Sequence, residues 1–141
     1  MSPTETVRTF YAALGRGDAS AALTLLSDKL EWTEADGFPY FSGTWRTPQE
    51  VLENLFVPLL KDWETFVADP DSFVSEASEV VAFGMYRGVN RATGRPLAAP
   101  FAHRWRVSDG RIASFVQYTD TVLVRRAIRR QRFQPLGGTS F

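Results

Sequence analysis

Residues Pro100 to Asp120 read PFAHRWRVSDGRIASFVQYTD, and the period of this stretch decides the fold. Phe101, His103, Trp105 and Val107 fall on one side of an extended chain and Ala102, Arg104 and Arg106 on the other, the pattern of a half-buried strand. Ser108-Asp109-Gly110 supplies turn chemistry, and Arg111 to Thr119 is again β-branched and aromatic, so a second strand returns beside the first as a hairpin. The single histidine of the sequence therefore points inward. With Gln117, Tyr118 and Asp120 it forms a polar cluster among large apolar side chains, the composition of a lined pocket.

Two registers are open to this hairpin, and they set different residues beside His103. A two-residue Asp109-Gly110 turn pairs Val107 with Ile112 and His103 with Val116, and brings Tyr118 and Asp120 to the histidine's face. A three-residue Ser108-Asp109-Gly110 loop with a bulge pairs Val107 with Arg111 and His103 with Phe115, and brings Gln117 there instead. The second is expected, because it keeps more aromatic surface inward.

Upstream, Ser2-Pro3-Thr4-Glu5 combines an N-cap, a proline at the first helical position and a capping box. Val7, Phe10, Tyr11 and Leu14 then recur at helical spacing until Gly15 and Gly17. Asp18 caps a short second helix through Ala19 to Leu26. Leu30, Trp32 and Glu34 line one side of a strand, with the carboxylate near its end. Thr47-Pro48-Gln49-Glu50 repeats the capping signature before a stripe of Val51, Leu52, Leu55, Phe56, Leu59 and Leu60, which Pro58 should kink or end early. Alternation predicts strands over 64–77 and 80–90, and Ala92-Thr93-Gly94 turns the chain into the hairpin. After Asp120, Val122 to Arg129 reads as a helical turn or more, residues 129–141 make the tail, and its end, LGGTSF, reads as loose. Helix, helix, strand, helix and four strands give an α+β fold: one strongly bent antiparallel sheet with three N-terminal-half helices over its concave face.

A chain of 141 residues is one domain by length, with its core over about 4–128. Aromatics make up 13%, enough for a core plus an apolar cavity. Sixteen basic and sixteen acidic residues cancel, which argues against a nucleic-acid partner, and the basic run RRAIRRQR near the end reads as a solvated face. There is no cysteine, so thiol chemistry and thiolate metal sites are excluded, and one histidine excludes a two-histidine metal site. No signal segment or membrane span is read, and a cytoplasmic protein is expected.

FYAALGRGD, SGTWRTPQEVLENLF and above all FAHRWRVSDGRIASFVQYTDT resemble the nuclear-transport-factor-two-like superfamily, in its SnoaL-like and ketosteroid-isomerase-related branch. The resemblance covers roughly residues 4 to 128 and implies a cone of helices on a bent sheet, a homodimer through the convex face, and no cofactor. Compared with ketosteroid isomerases, Phe10 stands where they carry an oxyanion tyrosine, with Tyr11 one step aside. Glu34 falls near their general base and His103 at their protonated aspartate. Compared with SnoaL-type cyclases, His103 matches an inward histidine and Gln117 replaces an acid/base aspartate. Compared with limonene-type epoxide hydrolases, Arg87 and Asp120 are candidate parts.

The resulting expectation is a cofactor-independent acid/base enzyme, of isomerase, cyclase or hydratase type, acting on a mostly apolar small molecule. Glu34, His103 and Asp120 are the candidate catalytic residues. Phe10, Trp32, Trp45, Phe56, Trp63, Phe83, Arg87, Phe101, Trp105, Phe115 and Gln117 are the candidate binding residues, and no metal ligand is assigned. The alternatives are a binding protein without turnover, an epoxide hydrolase, and an interaction module whose cavity its own side chains fill. Each polar candidate also has a structural reading: Glu34 as an exposed strand end, His103 as a satisfied core residue, Asp120 as a helix cap.

Overall fold

The computed structural model describes residues 1–129; the expected loose end LGGTSF, with Arg130 and Arg132 of the basic run, lies outside them. Helix α1 (Pro3–Gly15) starts as its sequence dictates. Glu5 N–H donates to Ser2 Oγ at 3.1 Å and Ser2 N–H donates to the Glu5 carboxylate at 3.3 Å, which satisfies donors that a helix start leaves open. Its stripe buries Val7, Phe10 and Tyr11. Helix α2 (Ala19–Thr24), capped by Asp18, is shorter than expected. Leu25 C=O accepts from the Ile112 N–H at 2.8 Å, and Leu26 already opens strand β1 (Leu26–Thr33). Pairing with a distant strand here outweighs the local helical preference of the leucines.

A two-residue strand, β2 (Thr44–Trp45), precedes a long helical stretch in three pieces: α3 (Pro48–Val51), a π-helical turn (Leu52–Phe56) and α4 (Val57–Asp62). Pro58 does not stop it. The proline sits in the first turn of α4, where a missing N–H is tolerated, and the Val57 N–H reaches back to Leu52 C=O. The wider turn lets two consecutive residues, Leu55 and Phe56, both turn inward.

Strands β3 (Trp63–Glu76), β4 (Glu79–Asn90), β5 (Pro96–Ser108) and β6 (Arg111–Thr119) follow, and helix α5 (Thr121–Ile128) closes the described chain. The six strands make one sheet in the order β2-β1-β6-β5-β4-β3. Every neighbouring pair is antiparallel except β1 with β6, which run parallel. A bulge in β3 between Pro70 and Ser72 bends the sheet, opposite Gly84 of β4. A side chain at Gly84 would meet Asp69 C=O at 2.2 Å and Phe101 Cζ at 2.8 Å, so the bend depends on an absent Cβ.

The organising hairpin uses part of each expected register. Asp109 and Gly110 have φ of 52° and 75°, a two-residue turn of the kind whose twist suits paired strands, and Val107 therefore faces Ile112 rather than Arg111. Ala113 then bulges out of the pairing, and the register shifts so that Trp105 faces Phe115 and His103 faces Gln117, not Phe115. The extra residue restores the expected face by another route. Gln117 is buried and Tyr118 is exposed on the other side.

Candidate functional site

The concave face of the sheet and the inner faces of α1 and the π-helical turn enclose a cavity of about 200 Å³. Phe10, Trp32, Phe56, Trp105 and Phe115 line it as expected from their spacing, together with Leu14, Leu55 and Leu59. Leu60 and Val67, both well exposed, stand at its opening. The polar groups of the lining converge from four strands: Glu34 just past β1, Tyr86 on β4, His103 on β5 and Gln117 on β6, with Tyr11 above them on α1.

These side chains form one hydrogen-bonded chain. Tyr11 Oη lies 2.5 Å from His103 Nδ1 and accepts from the Trp105 indole N–H at 3.1 Å. His103 Nε2 lies 2.5 Å from Tyr86 Oη, which accepts from Gln117 Nε2 at 2.8 Å. Gln117 Oε1 in turn accepts from the Ala35 N–H at 2.9 Å, which fixes the backbone beside Glu34. Phe101 stacks flat against the imidazole with centroids 3.9 Å apart. It therefore supports the histidine from beneath and does not line the cavity as expected.

Burial sets the protonation states. It holds the His103 imidazole well below its ordinary pKa, so the ring is neutral at pH 7. It raises both tyrosines, Tyr86 with help from the nearby Glu34 and Tyr11 against the Trp105 hydrogen bond. Glu34 is 3% exposed, and desolvation pushes its carboxyl up to about 8. The Trp32 indole pulls the other way, yet neither Trp32 Nε1 nor Glu34 Oε2 has a hydrogen-bond partner among the described residues. An unpartnered buried carboxyl oxygen is costly. Glu34 is one of the residues that line the cavity.

Several candidate positions lie elsewhere. Phe83 is 42% exposed, and Arg87 reaches Asp69 at 3.8 Å on the same outer face of β4. Strand alternation puts both opposite to Tyr86. Asp120 caps α5, accepting from the Leu123 N–H at 3.3 Å, and does not line the cavity. Trp45 and Trp63 are buried, but their indoles are held by Ser42 and Tyr40 away from the cavity. Tyr11 and Tyr86 are the functional groups that sequence reasoning missed. Tyr86 shares the parity of buried Val80 and Ala82, and that signal was sufficient to find it. Phe10 carries no hydroxyl, and the one that α1 brings to the cavity is that of Tyr11. Among the described residues, no group of three or more His, Asp or Glu side chains is placed to hold a metal ion.

Residues 7–115 match the model of the SnoaL-like domain family. The chain belongs to that family. An NTF2-like protein from Burkholderia thailandensis is 36% identical, with a TM-score of 0.87 over 92% of this chain and 98% of that one. A second NTF2-like protein, from Burkholderia pseudomallei, is 30% identical, with a TM-score of 0.83 over 91% of this chain and 98% of that one. At 19% identity this SnoaL-like domain shares its fold with IdmH of Streptomyces antibioticus, proposed as a polyketide cyclase (TM-score 0.75, 91% and 99% covered). No curated protein matched the chain. No helix among the described residues of the domain is long and apolar enough to cross a membrane.

Proposed function

We propose that this SnoaL-like domain is a cofactor-independent acid/base enzyme that moves a proton on an uncharged, mostly apolar small molecule bearing a carbonyl-type oxygen. The observation that carries this reading is Glu34: a carboxyl with an unpartnered oxygen at the wall of an apolar cavity, its pKa raised to about 8. A group that titrates near neutrality is suited to taking and returning a proton. Among the described residues the lining contains no lysine or arginine, so nothing there rewards an anionic substrate. The neutral Tyr11–His103–Tyr86 chain supplies a hydroxyl donor to an oxygen on which charge develops. Isomerisation and aldol-type cyclisation share this requirement, and the IdmH likeness supports the cyclase form.

Exchange of the α-hydrogens of 1-tetralone with D2O is a direct assay, since it asks only for enolisation in an apolar pocket. The protein is expected to accelerate exchange, with a rate that rises about tenfold from pH 7 to a plateau above pH 8 as Glu34 becomes a carboxylate. Glu34→Gln should reduce it by at least about 100-fold. Exchange no faster than buffer, or untouched by Glu34→Gln, rejects the reading and leaves a binding protein.

The domain is also proposed to act as a cytoplasmic homodimer through the outer face of its sheet. Phe83, Ala102 and Tyr118 stand side by side across β4, β5 and β6, and Phe83 and Tyr118 are 42% and 54% exposed. Such an apolar row invites cover. Sedimentation should find a dimer at micromolar concentration and a monomer for Phe83→Glu, Tyr118→Glu; a wild-type monomer removes the claim.

A further inference from the structure

The protons in the chain around His103 can be counted, because each end is fixed by a group with a single role. At one end the Trp105 indole N–H can only donate, and it donates to Tyr11 Oη. At the other, the Ala35 N–H can only donate, so Gln117 must present Oε1 to it and Nε2 to Tyr86 Oη. Each tyrosine oxygen therefore already receives one hydrogen bond before His103 is considered. The imidazole lies between them, with Nδ1 on Tyr11 and Nε2 on Tyr86.

A neutral imidazole has one N–H and one bare nitrogen. The nitrogen that carries the proton donates to its tyrosine, whose oxygen then has both lone pairs engaged and its own O–H unused. The bare nitrogen accepts the O–H of the other tyrosine. We infer that His103 is a positioning residue that acts as a tautomeric selector, leaving one and only one of two pocket hydroxyls free to donate to a ligand oxygen. That hydroxyl is Tyr11's when Nδ1 bears the proton and Tyr86's when Nε2 does.

Only an imidazolium would free both hydroxyls, and among the described residues the ring has no anionic partner to stabilise one. Its neighbours are Tyr11, Tyr86, Phe101, Trp105 and Phe115, and Glu34 acts on Tyr86 rather than on the ring. The site thus selects a ligand that presents a single acceptor oxygen at this end, a ketone or quinone carbonyl or the enolate derived from it. As a statement about substrate this rests on the acid/base reading. As a statement about His103 it does not, and its test uses no substrate.

With one histidine in the sequence, protein labelled with 15N-histidine gives one pair of ring nitrogen resonances, whose long-range proton couplings identify the tautomer. At pH 7 the wild type should show a neutral ring. Tyr11→Phe should place the proton on Nε2 and Tyr86→Phe should place it on Nδ1, because a buried N–H with no acceptor is worse than a bare lone pair. Opposite tautomers in the two variants establish the selector. The same tautomer in both overturns it. If either variant fails to fold, the wild type still decides: a doubly protonated ring at pH 7 refutes the selector, and a neutral ring supports it. A failure of tetralone exchange with the opposite tautomers intact removes the acid/base reading alone.

Discussion

Glu34→Gln is expected to stabilise the protein, and to do so more as the pH rises. In the unfolded chain the carboxyl titrates near 4.5, while in the fold burial moves it to about 8. Between those values the folded state holds a proton that the unfolded state has lost, so this group makes stability fall as pH rises from about 4.5 to 8, after which its contribution is constant. At about 1.4 kcal/mol per pH unit the ceiling is about 5 kcal/mol, and relaxation around the site should reduce the measured value to about 3 kcal/mol. His103 contributes with the opposite slope. Its folded pKa is depressed, so its neutral burial costs stability as pH falls below about 6.5. Both proteins share that term, and their difference isolates Glu34. Urea unfolding at pH 5, 7 and 8.5 should show the advantage of Glu34→Gln growing from near zero to about 3 kcal/mol. A constant difference would mean that Glu34 titrates normally. Gain of stability together with loss of exchange would mark a site that keeps its carboxyl for chemistry rather than for folding.

The architecture was legible because its strongest signals are local and repeat. Ser2 to Glu5 caps α1 in the way its residue types require, and alternation over residues 80–90 and 100–107 places the inner face of the sheet residue by residue. What was not legible depended on partners far away in sequence. Leu25 and Leu26 leave the helix for Ile112. Pro58, a helix breaker by rule, is absorbed by a π-helical turn whose preference comes from packing Leu55 and Phe56. The bulge at Ala113 follows from no local residue preference, yet it moves Gln117 opposite His103.

The site was readable in part for the same reason. Glu34, His103 and Gln117 follow from parity along their strands, and all three are buried at the cavity. Phe83 and Arg87 were placed by residue type against the parity of their own strand, and they lie outside. Asp120 was ambiguous between cap and pocket, and its distance from the next helical N–H settles it as a cap. The tyrosines are instructive. A hydroxyl at the end of a long side chain acts one ring's length from its backbone, so Tyr11 reaches His103 across 92 positions of sequence, and no spacing rule within α1 contains that fact.

Trp105→Ala should be the most damaging single truncation in the core. The indole is 1% exposed and lies against Phe10 at 5.2 Å, Phe115 at 4.6 Å and Trp32 at 5.8 Å between ring centroids. It joins α1 to both strands of the hairpin. Removing such a side chain forfeits its transfer free energy and leaves a void that rings held on three sides cannot collapse to fill, a loss of about 4 kcal/mol. Against a typical stability of about 5–15 kcal/mol, that brings the domain close to unfolding at 37 °C. Trp105→Phe keeps most of the volume and should lose about 1.5 kcal/mol. It also removes the N–H that Tyr11 Oη accepts. The two variants therefore separate packing from hydrogen bonding. If the melting temperature falls by about 15 °C for Ala and about 5 °C for Phe, the void dominates. Equal losses would assign the effect to the indole N–H, and would make the Tyr11–His103 chain, rather than the aromatic cluster, the element that holds α1 to the sheet.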